Sequence, residues 1–164
     1  MADRRWIAYG SAAGVFALDR LTKHVVEAHI GFEDTVKVIP GFFDIVHSQN
    51  RGVAFGIFND SAFEWRTALL VAASLVAVVV VSWILRRPER LDRTVFWGLA
   101  LVLGGALGNV YDRLVAGQVT DFLLFYAGDY QWPAFNAADS AIVVGSSLLL
   151  LDMVRSARKT AHVS

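Results

Sequence analysis

The chain has 164 residues, enough for roughly one domain, and 55% of them are hydrophobic against 18% charged, with fifteen basic and fifteen acidic residues. The apolar share exceeds the usage typical of soluble domains and the charged share falls below it, which excludes disorder; the lack of a basic surplus argues against a nucleic-acid binder. Without cysteine there is no disulfide framework, thiol nucleophile or Cys-type zinc site.

The first predicted element is a membrane helix from Trp6 to about Val26, whose outer third carries Asp19, Arg20 and Lys23. Arg4 and Arg5 ahead of an apolar stretch also fit a cleaved signal peptide. Cleavage would strand the basic C-terminal cluster outside, so the segment is kept as a membrane helix. A first outer loop follows, from about His29 to Trp65. In it Val36, Val38 and Ile39 alternate with polar residues before a Pro40-Gly41 turn, and Phe42 to His47 is rich in aromatic and β-branched residues. This pattern predicts short strands, with another from Val53 to Phe58 after Gly52, forming a small sheet on the membrane surface.

The second predicted helix covers 66–85 and the third 94–111. Ala68–Leu85 and Thr94–Tyr111 are each uncharged for eighteen residues, within the ~17–25 that span a hydrocarbon core. A second outer loop, Asp112 to Ala138, holds the apolar run Val119–Tyr126 interrupted by Asp121. So greasy a loop is expected to pack on the helices or dip into the headgroups. The fourth helix is placed over 139–154. Trp65, Trp97 and Trp132 lie near the predicted boundaries and suit an interfacial aromatic belt.

Nine bases (Arg4, Arg5, Arg86, Arg87, Arg90, Arg93, Arg155, Arg158 and Lys159) fall on one side of this four-span scheme. By the positive-inside rule both termini are cytoplasmic and the two loops lie outside. Ionisable groups at membrane depth require a function or a partner. Asp19 and Lys23 are four apart on one helix face, in the favourable order for an ion pair; a structural pair and a direct role are both open. Asn109, Asp112 and Arg113 close a third span whose Gly104, Gly105 and Gly108 permit close helix approach. That polar cluster reads more readily as structural glue than as chemistry.

Asn136 or Asp139 suits a cap on the fourth helix. Yet Asp121 and Asp139 share the outer membrane edge and both stand in apolar surroundings. Two carboxylates held close share a proton, so one activates water while the other protonates a leaving group. They form a candidate aspartic protease site. Rival chemistry is thin: the four histidines lack metal spacing, there is no Gly-x-Ser-x-Gly, and the Gly-x-Gly-Asp half of the presenilin-type signature is missing. A transporter would place its acids near the midplane and show internal repeats, and a structural scaffold leaves the two acids unexplained.

The chain resembles the bacterial lipoprotein (type II) signal peptidases over essentially its whole length. Five blocks match in order: Asp19-Arg20-Leu21-Thr22-Lys23, Asn50-Arg51-Gly52-Val53-Ala54-Phe55, Gly104–Arg113, Val119-Thr120-Asp121-Phe122 and Phe135-Asn136-Ala137-Ala138-Asp139. Arg20 stands where that family usually has Gln. The resemblance implies a four-helix membrane bundle with a small extracytoplasmic β-cradle in the first outer loop, in the bacterial inner membrane. It implies an aspartic endopeptidase that cuts prolipoproteins just before a diacylglyceryl-modified cysteine, with Asp121 and Asp139 as the catalytic pair. Asp19, Lys23, Asn50, Gly52, Asn109, Asp112, Arg113 and Asn136 match positions that shape or support the pocket. No metal, cofactor or nucleic acid is implied; membrane lipids and the cyclic peptide inhibitor globomycin are.

Overall fold

The structure is a computed structural model that describes residues 4–32, 34–50 and 61–161, with side chains excepted at 61–66 and 160–161. Gly52 and the strand predicted from Val53 to Phe58 lie outside the described residues, as does the side chain of Trp65. The helices are α1 (Arg4–His29), α2 (Ser61–Ile84), α3 (Arg93–Val115) and α4 (Ala137–Ala161). The strands are β1 (Thr35–Ile39), β2 (Phe43–Asn50), β3 (Val119–Ala127) and β4 (Tyr130–Gln131).

Helix α3 is the centre of the bundle, packed against α1, α2 and α4. Its glycines make this possible. A Cβ on Gly104 would sit 2.6 Å from the Ala12 carbonyl of α1, and one on Gly105 would collide with the Ala138 carbonyl of α4. Because lipid tails are as apolar as side chains, membrane helices associate through the close packing that such small residues permit. At the end of the bundle away from the sheet, Ala8, Ala12, Val81, Leu85, Phe96, Leu99 and Leu103 form a core. Tyr9 donates a hydrogen bond to the Ser82 carbonyl there (3.0 Å), and the Arg4 guanidinium lies 4.8 Å from the Phe96 ring.

Helix α2 contacts little but α3 and turns Leu69, Leu75, Val76, Val79, Val80 and Trp83 outward. An apolar face of that size is not left to water. Among the described residues three helices, with spans at Thr67–Ile84, Arg93–Val115 and Ala137–Lys159, are long and apolar enough to cross a membrane. Helix α1 is long enough, but Asp19, Arg20, Lys23 and Glu27 lower its hydropathy. Two of these, Asp19 and Lys23, are buried against the bundle.

The sheet is antiparallel in the order β1-β2-β3-β4. β1 and β2 form the predicted hairpin, closed by a turn in which Phe42 N–H donates to Ile39 (3.0 Å) and Gly41 takes a φ of 82°. The sheet is not confined to the first loop, however. The apolar run Val119–Tyr126, expected to be a loop lying on the helices, is strand β3, one of the two interior strands. β2 pairs along one edge of β3, and on the other Trp132 N–H donates to Phe125 while Leu123 and Phe135 exchange backbone hydrogen bonds. A strand paired on both edges, buried on both faces over Val119–Phe122 and half-buried from Leu123 to Tyr126, needs no polar alternation, so its sequence carries none of the period-two signal of an exposed strand.

Candidate active site

The site lies where the sheet meets the ends of α1, α3 and α4, and each element contributes for a local reason. Asp139 sits in the first turn of α4, which opens with a reciprocal cap. Asp139 N–H donates to Asn136 Oδ1 (2.9 Å), and Asn136 N–H donates to Asp139 Oδ2 (3.3 Å). This is the capping-box arrangement with Asp in place of the usual Glu or Gln. Capping and site membership, which the sequence sets against each other, are therefore the same interaction.

The cap leaves the Asn136 amide nitrogen free to face β3, where it donates to Asp121 Oδ1 (2.7 Å). Asn50, the last residue of β2, donates to the other oxygen, Oδ2 (2.9 Å). Asp121 is only 2% exposed. Burial raises its pKa to about 6, assisted by the nearby Asp139 charge; the hydrogen bonds from Asn50 and Asn136 and the Lys23 charge pull the other way.

Asp139 Oδ1 accepts from Asn109 Nδ2 (2.7 Å). The orientation of that amide is dictated from behind. Lys23 Nζ is a donor only, and at 3.4 Å it faces Asn109 Oδ1, to which Asn136 Nδ2 also donates (3.4 Å). The Asn109 NH2 is thus turned toward Asp139. Lys23 is fully buried and paired with Asp19 Oδ2 (2.7 Å) and Asp112 Oδ2 (2.6 Å). The remaining Asp19 oxygen accepts Ala138 N–H (2.9 Å), tying α1 to the residue before Asp139. Arg20 pairs with the other Asp112 oxygen and lies 4.9 Å from the Tyr111 ring. Two cations then balance two anions, as burial of charge demands.

Arg113 donates to the Asn109 carbonyl (3.2 Å) and is in electrostatic reach of Asp112, Asp121 and Asp139. Gly108 is required by contact: a Cβ there would sit 2.6 Å from Asp19 Oδ2. Of the residues singled out from sequence, the structure brings together Asp19, Lys23, Asn50, Asn109, Asp112, Arg113, Asp121, Asn136 and Asp139; Gly52 lies outside the described residues. Glu27 and Thr120 were missed. Thr120, next to Asp121, donates to Glu27 on α1 (2.6 Å) and ties the strand to the helix. The signal was present, since Asp19, Lys23 and Glu27 recur every four residues along one helix face.

The family described as Signal peptidase (SPase) II matches residues 11–155. A lipoprotein signal peptidase from Solibacter usitatus (strain Ellin6076) is 60% identical over 164 residues, covering 100% of both chains. One from Nitratidesulfovibrio vulgaris (strain DP4) is 44% identical over 91% of this chain and 90% of its own. Among solved structures, a bacterial membrane enzyme determined in meso at 2.3 Å superposes with a TM-score of 0.79 over 92% of this chain and 89% of that one, at 24% identity, and so bears on the fold. Another, at 1.9 Å, gives a TM-score of 0.76 and 25% identity over 90% of this chain and 92% of that one. With the match running through nearly the whole chain, this integral membrane protein belongs to the signal peptidase II family, the aspartic peptidases of lipoprotein processing.

Proposed function

We propose that Asp121 and Asp139 are the catalytic pair of an endopeptidase that removes signal peptides from diacylglyceryl-modified prolipoproteins, cutting just before the modified cysteine. The observation that carries this is the bridge made by Asn136: its amide nitrogen holds Asp121 at 2.7 Å while its backbone and side-chain oxygen hold Asp139. Two carboxylates from separate elements are thereby fixed by one residue, in a site where one of them is shifted toward neutrality.

In this mechanism the pair shares one proton. The ionised carboxylate takes a proton from a water whose oxygen attacks the carbonyl carbon before the cysteine. The protonated carboxyl then gives its proton to the departing amine as the C–N bond breaks, and the two carboxyls have exchanged roles. Asn50, Asn109 and Asn136 orient the oxygens that do this. Asp19, Lys23 and Asp112 hold Asn109 and the start of α4 in place, and Arg113 offsets the acids' negative charge. Gly52 matches a position of the motif that supports the pocket in this family. The lipid on the substrate and neighbouring membrane lipids lie between the helices, and globomycin competes for this site.

The four helices all span the bilayer in this account, with both termini cytoplasmic and the sheet on the outer face. The basic residues Arg4, Arg5, Arg86, Arg87, Arg90, Arg93, Arg155, Arg158 and Lys159 at the opposite end support that orientation. A signal peptide entering as an apolar helix then presents its cleavage site at the level of the acids. The test is purified protein in detergent given a diacylglyceryl-modified precursor and, beside it, the unmodified one. The expected result is cleavage of the modified precursor alone, with cysteine as the new N-terminus. Equal cleavage of both overturns the substrate assignment.

A further inference from the structure

β2 and β3 pair out of simple alternation. Ile45 lies opposite Leu123 and Ser48 opposite Asp121, so Val46 and His47 together face the single residue Phe122. One extra residue in β2 is a β-bulge. Because side chains alternate with period two, it inverts the faces of everything after it. Asn50 is five residues beyond Ile45, and in a regular ladder it would point away from the face that Ile45 shares with Leu123 and Asp121. With the bulge, Asn50 lies opposite Val119, diagonal to Asp121 and on its face, and its amide reaches Asp121 Oδ2 at 2.9 Å.

His47 anchors this bulge. Its Nδ1 is 2.9 Å from the Ile30 carbonyl, an acceptor only, so Nδ1 carries the proton and donates. Its ring meets Phe32 edge to face at 5.8 Å. Both contacts are to the segment that leaves α1, whose own face carries Lys23 into the site. We infer that His47 is a positioning residue: by pinning the β2 bulge to the end of α1 it sets the register that turns Asn50 onto Asp121. This rests on Asp121 being catalytic. It adds that the geometry of the pair depends on a side chain that touches neither carboxylate.

Asp121 is faced by Asn50 from β2, Lys23 from α1, Arg113 from α3, and Asn136 and Asp139 from the start of α4. Of these, the bulge governs Asn50. Its donor favours the ionised carboxylate, so losing it moves the Asp121 limb of the pH profile upward by about one unit. His47→Leu in the full chain is therefore expected to lower kcat about ten-fold with KM nearly unchanged and to move that limb upward. Asn50→Ala does the same, and the double variant is no worse than either alone. His47→Asn, whose amide nitrogen can take the place of Nδ1, restores the wild-type profile.

An independent measurement uses the absence of cysteine from the chain. Gln49→Cys with Thr120→Cys crosslinks in the bulged register, in which those residues are directly opposed. Gln49→Cys with Val119→Cys crosslinks only in the regular one. Wild-type kcat and pH profile in His47→Leu, additive losses in the double variant, preferential crosslinking of the second cysteine pair where His47 is intact, or an undiminished preference for the first pair in His47→Leu overturns the inference. If cleavage by the parent enzyme survives Asp121→Asn, the catalytic assignment fails instead, and the two failures are distinct.

Discussion

Asn136 holds one end of the site and Lys23 the other. The buried asparagine satisfies an orphan helix N–H and still has an amide hydrogen for Asp121. The lysine decides which way the Asn109 amide turns, and so whether Asp139 meets a donor or an acceptor. Replacing Lys23 with Met leaves Asp19 and Asp112 buried with one cation between them. Breaking a buried pair in this way costs ~3–5 kcal/mol, so Lys23→Met should unfold at a markedly lower temperature in detergent and lose cleavage even where it remains folded. An unchanged melting temperature would show that the cluster is not held by charge. Asp121 also makes a pH prediction. Burial favours its neutral form, so its contribution to stability is fully present below the ordinary carboxylate range, is lost as pH rises from there through about 6, and is flat above. In the proposed mechanism the pair needs one proton, so kcat/KM of the parent enzyme should fall above about pH 6, measurable as a descending limb of its pH profile.

At the scale of elements, the glycine face of α3 and the bulge of β2 do the positioning. Gly108→Ala places a methyl against the Asp19 carboxylate that also holds the Ala138 N–H at the start of α4. Overpacking of this kind costs ~1–3 kcal/mol, and because it acts on α4 it should lower kcat more than it lowers expression; steady-state cleavage with quantified membrane protein checks this. The apolar blocks of α2 and α3 and the alternation of β1 were legible in the sequence because each obeys one simple pattern. Strand β3 was not: paired on both edges, it reads as a featureless greasy run. The inversion of faces in β2 was equally hidden, since a bulge is a relation between two strands and leaves no mark on either one's composition. Asn50 and Asp121 were each recognisable by motif, but their hydrogen bond follows from register alone.

For the whole molecule, the opening arithmetic of equal acids and bases conceals a segregation. Basic residues flank the ends of the helices away from the sheet, while acids and amides gather where the sheet meets the bundle. Helix α1 shows the cost of this to hydropathy: its buried Asp19 and Lys23 serve the site and remove it from the helices apolar enough to span by composition. A reporter fused after Lys37 should signal outside the cell membrane and one after Arg90 inside; an external signal from the second reverses the orientation. The measurement that bears most directly on the catalytic pair is cleavage of a diacylglyceryl-modified precursor by Asp121→Asn and Asp139→Asn, each alone. Each change is nearly isosteric, so both proteins should insert and accumulate as the parent does while releasing no signal peptide. Normal cleavage by either variant would contradict the role given to that aspartate.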